Sequence, residues 1–321
     1  YGNKHSISNG TVAYQSWIDG TSHFAVGLFH KINGGKVFDL TLESSLKFTD
    51  KLDCTTRVAH YIGGLAAVAN SATIVNVNSS VSFDYRHTNA NVVQNVCLGG
   101  IVGYSHTLKL YKSSWSGTIY VRATTSTVTG NNQYSLGGLV GFLDKAYTID
   151  IASVSGTITG ENAGKMIGGV TGMPNNDPNS YVCIMQNILL NVRVISKGGA
   201  NHNDTGLLMG EQQACGGDLT KVNNNGSIFQ NIYILGGYMS AGSPNGTETY
   251  NNYLALWGME NNMNQSGVND YHKNVYFPVA SGAVIYPGKV NASTLRKDCG
   301  SVAGVVTAAN KNSAITNNFS V

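Results

Sequence analysis

The chain has few charged residues, prolines and cysteines. The distribution of its basic residues, cysteines and apolar runs excludes several classes of protein. Charged residues make up 12% of the 321 positions, and there are five prolines and five cysteines. The basic side chains are scattered singly, so no cluster of the kind that binds nucleic acid is present. No CxxC spacing or His/Cys cluster suggests zinc, and no apolar run reaches the length of a membrane span. We therefore expect no nucleic-acid partner, no metal, no cofactor and no membrane span in this chain.

Glycine and apolar residues are abundant, and they favour a folded extracellular protein. The sequence has 39 glycines. It is 42% hydrophobic, which is enough to bury a large core and argues against a disordered chain. Asn, Ser and Thr are common, as in extracellular stacks of β-coils. The chain begins at Tyr1 and shows no signal peptide, and we interpret it as a mature secreted polypeptide. The expected location is extracellular or at the cell surface.

A short apolar-Gly-apolar cassette returns six times along the chain at nearly the same interval. The steps are about 37, 36, 38, 31 and 37 residues, a period typical of stacked repeats. We interpret one glycine in each copy as a structural anchor, at a tight corner where a side chain would collide with the neighbouring coil. The anchors are Gly27, Gly64, Gly100, Gly138, Gly169 and Gly206.

The residues after each cassette alternate between apolar and polar, which indicates strands. Ile188, Leu190, Val192 and Val194 occupy every second position, and no stretch shows a sustained helical stripe. Two or three short strands per repeat predict an all-β, parallel β-solenoid (a β-helix) of about six to eight coils with an irregular C-terminal cap. A right-handed coil is expected from the general preference for right-handed crossovers. A sandwich and a propeller are the competing all-β folds, and a propeller needs four strands per repeat.

Departures from the period suggest three continuous parts. Residues 1–23 form an N-terminal cap or edge segment, residues 24–240 the repeat solenoid, and residues 241–321 the atypical coils and C-terminal cap. Solenoids need such ends to hide their last apolar edge. If the strand at one end were left uncovered instead, it could pair with a strand of another copy, and such strand addition would build a filament.

The fourth cassette and the residues that follow it resemble the GLUG repeat. The residues concerned are Gly138-Leu139-Val140-Gly141, then Ile149 and Ile151, then the segment 156–160. Proteins with this repeat are mostly large secreted or surface-attached proteins, many of them adhesin-like. The resemblance covers roughly residues 24–240 and implies a fold and a location. It supplies no catalytic residues.

The five cysteines divide into two groups by their surroundings. Cys97 and Cys183 lie in strand-like runs, where a buried thiol acts as a small hydrophobe. Cys54, Cys215 and Cys299 lie in polar segments, and we predict a disulfide between two of these three.

Eight Asn-x-Ser/Thr sequons occur, about as many as chance would give in so Asn-rich a chain. The better candidates for glycosylation lie in loop-like stretches: Asn203, Asn225, Asn245 and Asn264.

Enzyme chemistry has little support, because no close pair of carboxylates is seen on one strand face. Three groups of residues have side chains suited to catalysis or calcium binding, and in each we expect solvated surface or loop residues instead. They are a lateral set of Asp144, Asp150, His106 and Lys109, a nucleophilic triad of His202, Asp204 and Cys215, and calcium ligands Asp177, Glu260 and Asp270. We predict no catalytic residue.

Binding is the favoured function, because a solenoid offers a rigid wall for repeated weak contacts. Four aromatic residues are candidates for stacking on sugar rings: Tyr104, Trp115, Tyr120 and Tyr147. We expect a non-enzymatic, secreted or cell-surface adhesin-like module that binds cell-surface glycans, proteins or copies of itself. The alternatives are a structural subunit of an extracellular filament and a polysaccharide-active β-helix enzyme.

Overall fold

The computed structural model describes residues 1–13, 15–19, 21–48, 58–87, 93–123, 133–161, 166–175, 183–197, 203–213, 227–242, 251–254, 257–261, 270–277, 284–286, 314–316 and 319–320. Strands are the regular structure of these residues, which contain no helix and hence no helix able to cross a bilayer.

Strands follow one another along each coil in the same order. The N-terminal segment holds β1 (His5–Ile7), β2 (Thr11–Val12) and β3 (Gln15–Asp19). The first coil holds β4 (Thr21–Val26), β5 (Phe29–Asn33), β6 (Lys36–Leu42) and β7 (Lys47–Phe48). The second holds β8 (Val58–Gly63), β9 (Ala66–Asn70), β10 (Ala72–Ser79) and β11 (Phe83–His87). The third holds β12 (Val93–Gly99), β13 (Val102–Ser105), β14 (Leu108–Trp115) and β15 (Thr118–Ala123).

The fourth coil repeats this plan, and in each of the next two coils one long strand takes the place of the last two strands. The fourth holds β16 (Gln133–Gly137), β17 (Val140–Asp144), β18 (Tyr147–Val154) and β19 (Thr157–Glu161). The fifth holds β20 (Met166–Gly168), β21 (Thr171–Asn175) and β22 (Cys183–Lys197). Then come β23 (Asn203–Gly206), β24 (Met209–Gln213) and β25 (Ser227–Gly242). The remaining strands are β26 (Asn251–Leu254), β27 (Trp257–Asn261), β28 (Asp270–Phe277), β29 (Val284–Tyr286), β30 (Ala314–Thr316) and β31 (Phe319–Ser320).

Each strand pairs with its equivalents in the preceding and following coils, and this pairing builds three large sheets. The eight-stranded sheet has the order β26-β23-β20-β16-β12-β8-β4-β3, and the seven-stranded sheet has the order β27-β24-β21-β17-β13-β9-β5. The third, which we call the long sheet, has 14 described strands and includes β6, β10, β14, β18, β22 and β25. Described pairs are parallel except β3 with β4. The predicted all-β parallel solenoid is confirmed.

Two details of that prediction need correction. A complete coil such as the third has four strands, not two or three, because the long sheet takes two strands from each of these coils. A propeller is nevertheless excluded, since each strand pairs in parallel with other repeats. The structure supports about four regular turns, the second to fifth coils, and this is fewer than the six to eight predicted. The flanking coils add strands to the sheets.

The two ends differ in how much of them is described. At the N-terminus, β1 continues the long sheet beside β6, β2 pairs with β7, and β3 folds back on β4. At the C-terminus, β28, β30 and β31 extend the parallel stack, and most of the expected cap lies outside the described residues. The handedness of the coil and the boundaries of the three parts stay predictions.

Glycine columns mark the corner between the eight-stranded and seven-stranded sheets. Gly63, Gly99, Gly137, Gly168 and Gly206 are aligned in successive coils. The alignment corrects the sequence assignment, because Gly206 matches the first glycine of each pair and not the second. Gly27 does so too, since it follows Val26 as Gly63 follows the partner Ile62.

The second glycines form a column of close backbone approach. A Cβ on Gly64, Gly100 or Gly138 would meet the carbonyl oxygen of the next coil's equivalent glycine, and one on Gly169 would meet that of Leu207. These are contacts that a real side chain cannot make, so the backbones stack only because the side chain is missing.

Trp115 fills the interior beneath this corner. Its side chain is fully buried, and its Nε1 donates a hydrogen bond to the carbonyl oxygen of Val81 at 3.0 Å. A Cβ on Gly100, Gly138 or Gly156 would overlap the indole ring. The indole ring therefore fits only because these three positions have no side chain.

A column of left-handed residues bends six strands of the long sheet, β6, β10, β14, β18, β22 and β25, at one place. The φ angles lie between 50° and 55°, and strand pairing is interrupted there in each coil. The residues are Asp39, Asn76, Lys112, Ile151, Asn187 and Asn231. Asn and Asp tolerate this conformation, whereas the β-branched Ile151 is strained in it.

The Gly100→Ala substitution tests the close approach. Because the new Cβ would overlap both Trp115 and the Gly138 carbonyl, we expect the free energy of unfolding to fall by about 2 kcal/mol or more in urea denaturation. Gly10→Ala is the matched control, since its Cβ would lie 3.2 Å from the flexible end of Leu46 and 4.0 Å from the Ser8 carbonyl oxygen, an ordinary contact. Equal stability of the two variants would contradict the packing argument.

The Ile151→Asn substitution tests the left-handed column. Replacing a β-branched residue by Asn relieves backbone strain, so we expect a gain of about 1 kcal/mol in the free energy of unfolding. The reverse change at the next coil, Asn187→Ile, should cost at least as much. Thermal or urea unfolding of both variants measures this, and a destabilised Ile151→Asn protein would refute it.

Candidate functional site

The outer face of the long sheet carries amide side chains beside exposed apolar ones across three coils. We call this surface the amide-apolar wall. It is built from β18, β22 and β25 and comprises Asp150, Ile151, Gln186, Asn187, Leu189, Gln230, Asn231, Tyr233 and Leu235.

The left-handed bend explains why two consecutive side chains point outward there. In an ordinary strand successive side chains alternate between the two faces. At the bend Asp150 and Ile151 are consecutive and neither is buried, and the same holds for Gln186 and Asn187 in the next coil. Two neighbouring columns of outward side chains result, one on each side of the bend.

The two columns form parallel ladders of amide hydrogen bonds. In the first, Gln230 Nε2 donates to Gln186 Oε1 at 2.7 Å, and Gln186 Nε2 donates to Asp150 Oδ2 at 2.9 Å. In the second, Asn231 Nδ2 donates to Asn187 Oδ1 at 2.9 Å, and Asn187 Nδ2 donates to Asp150 Oδ1 at 2.7 Å. Both ladders thus end on one carboxylate.

Asp150 sets the direction of both ladders. An ionised carboxylate only accepts hydrogen bonds, so Gln186 and Asn187 must each turn an NH2 group toward it. Their carbonyl oxygens then face the next coil, where they accept from Gln230 and Asn231. Hydrogen bonds to a charged acceptor are stronger than neutral ones, so this end of the ladder is firmly held.

Apolar side chains lie beside the ladders. One column of the long sheet reads Asn78, Ser114, Ser153, Leu189 and Tyr233 in successive coils, so it changes from polar to apolar along the solenoid. Leu189 is 40% exposed and its strand partner Tyr233 is 41% exposed. Ile151 and Leu235 are half-exposed on the same wall, and we call these four side chains the apolar strip.

Sequence reasoning missed this surface, although a signal was present. The runs Ile188-Leu189-Leu190 and Ile232-Tyr233-Ile234-Leu235 break the alternation expected of a strand with one face in water. Leu235 also lies at a β-bulge, because Leu190 pairs with Ile234 while Asn191 pairs with Gly236. In these runs an apolar residue occupies a position that alternation assigns to the outer face, and this could have revealed the wall from the sequence.

Two of the four aromatic residues expected to stack on sugars are inside the protein, and Tyr104 is half-buried. Trp115 and Tyr147 are buried in the core, so for these two the prediction is wrong. Tyr104 packs between Tyr61 and Phe142, with ring centroids 4.9 and 5.5 Å apart, and both its faces are covered. Aromatic residues here fill space between coils, as apolar rings commonly do.

Tyr120 is the member of that set on the outer face of the long sheet. Its hydroxyl donates to Glu161 Oε2 at 2.6 Å, and this hydrogen bond raises the pKa of Tyr120. Arg122 Nε lies 3.4 Å from the other oxygen of the same carboxylate. Tyr120 thus belongs to a charged cluster at a different part of the sheet from the wall.

The lateral set of acid and base residues separates into two places. His106 Nδ1 and the Tyr104 hydroxyl each lie 2.9 Å from Asp144 Oδ2, so Asp144 and His106 do meet. Burial, followed by the nearby Asp144, raises the pKa of Tyr104. Asp150 is instead held by the amide ladders, and Lys109 is aligned with Thr148.

The other two arrangements cannot be placed. Asp177, His202 and Cys215 lie outside the described residues, while for Asp204, Glu260 and Asp270 the structure describes the backbone alone. Over the part of the chain that is described, no group of His, Cys, Asp or Glu has the arrangement of a metal site.

Cys97 and Cys183 are buried in the core, as predicted, and the Cys183 thiol donates to the carbonyl oxygen of Lys145 at 3.6 Å. Burial raises the pKa of the Cys97 thiol, which keeps it protonated and unreactive. Cys54, Cys215 and Cys299, proposed for a disulfide, lie outside the described residues. So do the sequon residues Asn225, Asn245 and Asn264, while Asn203 is the first residue of β23.

Comparison with protein-family models, with curated proteins and with solved structures found no match. The resemblance to the GLUG repeat therefore stays a prediction that rests on the residues quoted for it.

Buried phenols and thiols predict a loss of stability at alkaline pH. Burial raises the pKa of Tyr134, whereas in the unfolded chain a tyrosine titrates near pH 10. A raised folded pKa means that the stabilisation is complete below about pH 10 and is lost as the pH rises further, by up to about 1.4 kcal/mol per pH unit.

Urea unfolding at about pH 8 and about pH 11 measures this loss. The Tyr134→Phe variant should lose less stability between the two pH values than the wild type. Tyr1→Phe, at an exposed position, is the control and should behave like the wild type. An identical pH dependence for Tyr134→Phe would refute the assignment.

Proposed function

We propose that the chain is a non-enzymatic, adhesin-like binding module of a secreted or cell-surface protein, and that the amide-apolar wall is its contact surface. The observation that carries the proposal is the wall itself, a rigid outer face on which apolar side chains are exposed beside two ordered amide ladders. Its ligands are cell-surface glycans or proteins.

Rigidity supports a binding role. The backbone of the wall is fixed by parallel pairing of β18, β22 and β25, and its polar side chains are already hydrogen-bonded to one another. A ligand that lies across the coils therefore costs little ordering of the protein. Coils spaced about 4.8 Å apart present similar groups again and again, which suits several weak contacts made together.

The state of Asp150 supports a non-enzymatic role. Each of its oxygens accepts a short hydrogen bond from an amide, so the carboxylate is used to hold the wall together. The resemblance to GLUG repeats, where surface-attached proteins are common, supports the proposed location.

Binding of the labelled chain to fixed epithelial and bacterial cells, measured by flow cytometry, tests the proposal. We expect saturable binding that falls about tenfold in a Leu189→Lys/Tyr233→Lys double variant, because charge is introduced into an apolar contact. Thr118→Lys/Thr157→Lys is the matched control: these two residues are also strand partners in the long sheet, outside the wall. Equal binding of both double variants would overturn the role of the wall.

Enzyme activity is tested separately by release of reducing ends from a panel of polysaccharides. We expect none from the wild-type protein. Cleavage that disappears in Asp150→Asn would contradict the non-enzymatic proposal and restore the polysaccharide-active alternative.

A structural subunit of a filament is the second candidate, and one observation favours it. Within the described residues β5 pairs with β9 along one edge, and its first residue, Phe29, is 43% exposed at that end of the seven-stranded sheet. Strand addition there would join copies end to end. Light scattering and negative-stain microscopy distinguish the two candidates: fibres that vanish in Phe29→Lys support the filament, and monomeric rods support the module.

A further inference from the structure

We propose that the amide-apolar wall binds a neutral polysaccharide, laid across the coils with its sugar rings against Leu189 and Tyr233 and its hydroxyls against the amide ladders. This inference rests on the proposed binding function and narrows its ligand to one chemical class.

The charge of the wall favours a neutral ligand. Asp150 is its single ionisable carboxylate, and both oxygens of that group already accept hydrogen bonds, at 2.9 and 2.7 Å. No Lys, Arg or His is among the residues that make up the wall. Lys112, which precedes Ile151 in the left-handed column, and Lys273, which is aligned with Gln230 in β28, adjoin the two ends of the wall. Among the wall residues themselves, a sulfated or uronic-acid chain, or an anionic lipid surface, would find no cation to replace its lost counter-ions and water.

The amides suit a ligand that both donates and accepts hydrogen bonds. A primary amide has two N–H donors and an acceptor oxygen. The ladder uses one N–H and the oxygen of Gln186, and likewise of Asn187, so each retains a second N–H. A sugar hydroxyl can accept from such a group and donate to a ladder oxygen, whereas a purely apolar ligand would leave these groups without water or partner.

The apolar strip suits the other side of a sugar ring. A pyranose has a face of C–H groups and a rim of hydroxyls, so it needs an apolar platform with polar groups beside it. Leu189 and Tyr233 are direct strand partners and form that platform, while the amides of the same two strands stand two and three residues earlier. Tyrosine supplies a large, rigid contact of this kind with little loss of side-chain entropy.

The size of the strip argues against a second copy of the chain as its occupant. The strip consists of four side chains that are each about half exposed, and the largest apolar patch of an ordinary monomer already covers roughly 300–600 Å². A stable protein interface buries about 800 Å² on each partner. A narrow polysaccharide chain matches the smaller area.

Affinity electrophoresis in gels that contain soluble polysaccharides tests the proposal. The probes are laminarin, hydroxyethylcellulose, galactomannan and carboxymethylcellulose, the last being the charged counterpart of the second. We expect retardation by at least one neutral probe, unchanged at about 1 M salt because no charge is involved. Tyr233→Ser should weaken it about tenfold, as the loss of a central aromatic contact commonly does.

Tyr120→Ser is the matched control, because it removes a tyrosine from the same sheet outside the wall. It should bind like the wild type. Circular dichroism and thermal unfolding establish that Tyr233→Ser is folded, and Leu189→Ser provides a second variant of the same strip. Absence of retardation by every neutral probe, preference for carboxymethylcellulose, or equal loss in Tyr120→Ser would each overturn the proposal.

Failure of this inference and failure of the binding function give different results. If cell binding depends on Leu189 and Tyr233 but soluble neutral polysaccharides do not compete with it, the ligand class is wrong and the module stands. If the wall variants bind cells like the wild type, the binding function of the wall is wrong, whatever the gels show.

Discussion

Parallel backbone pairing between successive coils, in register, is the interaction on which the rest of the structure depends. At the corner of the coil it requires the next backbone to approach within hydrogen-bonding distance, as Leu139 N does to Val170 O at 3.0 Å. Side chains at the second glycine of each pair would prevent that approach. The glycine column is therefore the condition for stacking, and its regular return along the chain is the condition for a solenoid.

Equivalent positions of successive coils are stacked and so form columns. The residue type at each position is limited by the side chains directly above and below it in its column. The interior columns are mostly aliphatic, and the largest buried side chain, Trp115, fits because glycines from neighbouring coils leave room for its ring. The left-handed column is occupied mostly by Asn and polar residues that accept positive φ. Ile151 breaks that rule on the outer face, where it adds apolar surface to the wall at the expense of backbone strain.

Columns that change character along the solenoid support the proposed function. The column from Asn78 to Tyr233 is polar at one end and apolar at the other, although every member has the same backbone environment. Backbone geometry therefore cannot explain the change, and contact with something outside the coil stack can. The amide ladders stiffen the same region, so the exposed apolar side chains are presented on a fixed support.

The sequence by itself determined the repeat period, the strand character of each repeat and the need for glycine at the corners, because these depend on local pattern and on the spacing of one residue type. It also identified Cys97 and Cys183 as core residues from their strand-like surroundings. Tertiary structure decided which aromatic residues are inside, how the glycines of the first and last cassettes are aligned, and where the wall lies. The physical reason is twofold. The left-handed bend resets the inside-outside alternation, so the face of Asp150, Asn187 or Leu189 does not follow from counting along the strand. The partners that make the ladders are 36 to 44 residues apart, and only the stacking of coils brings them together.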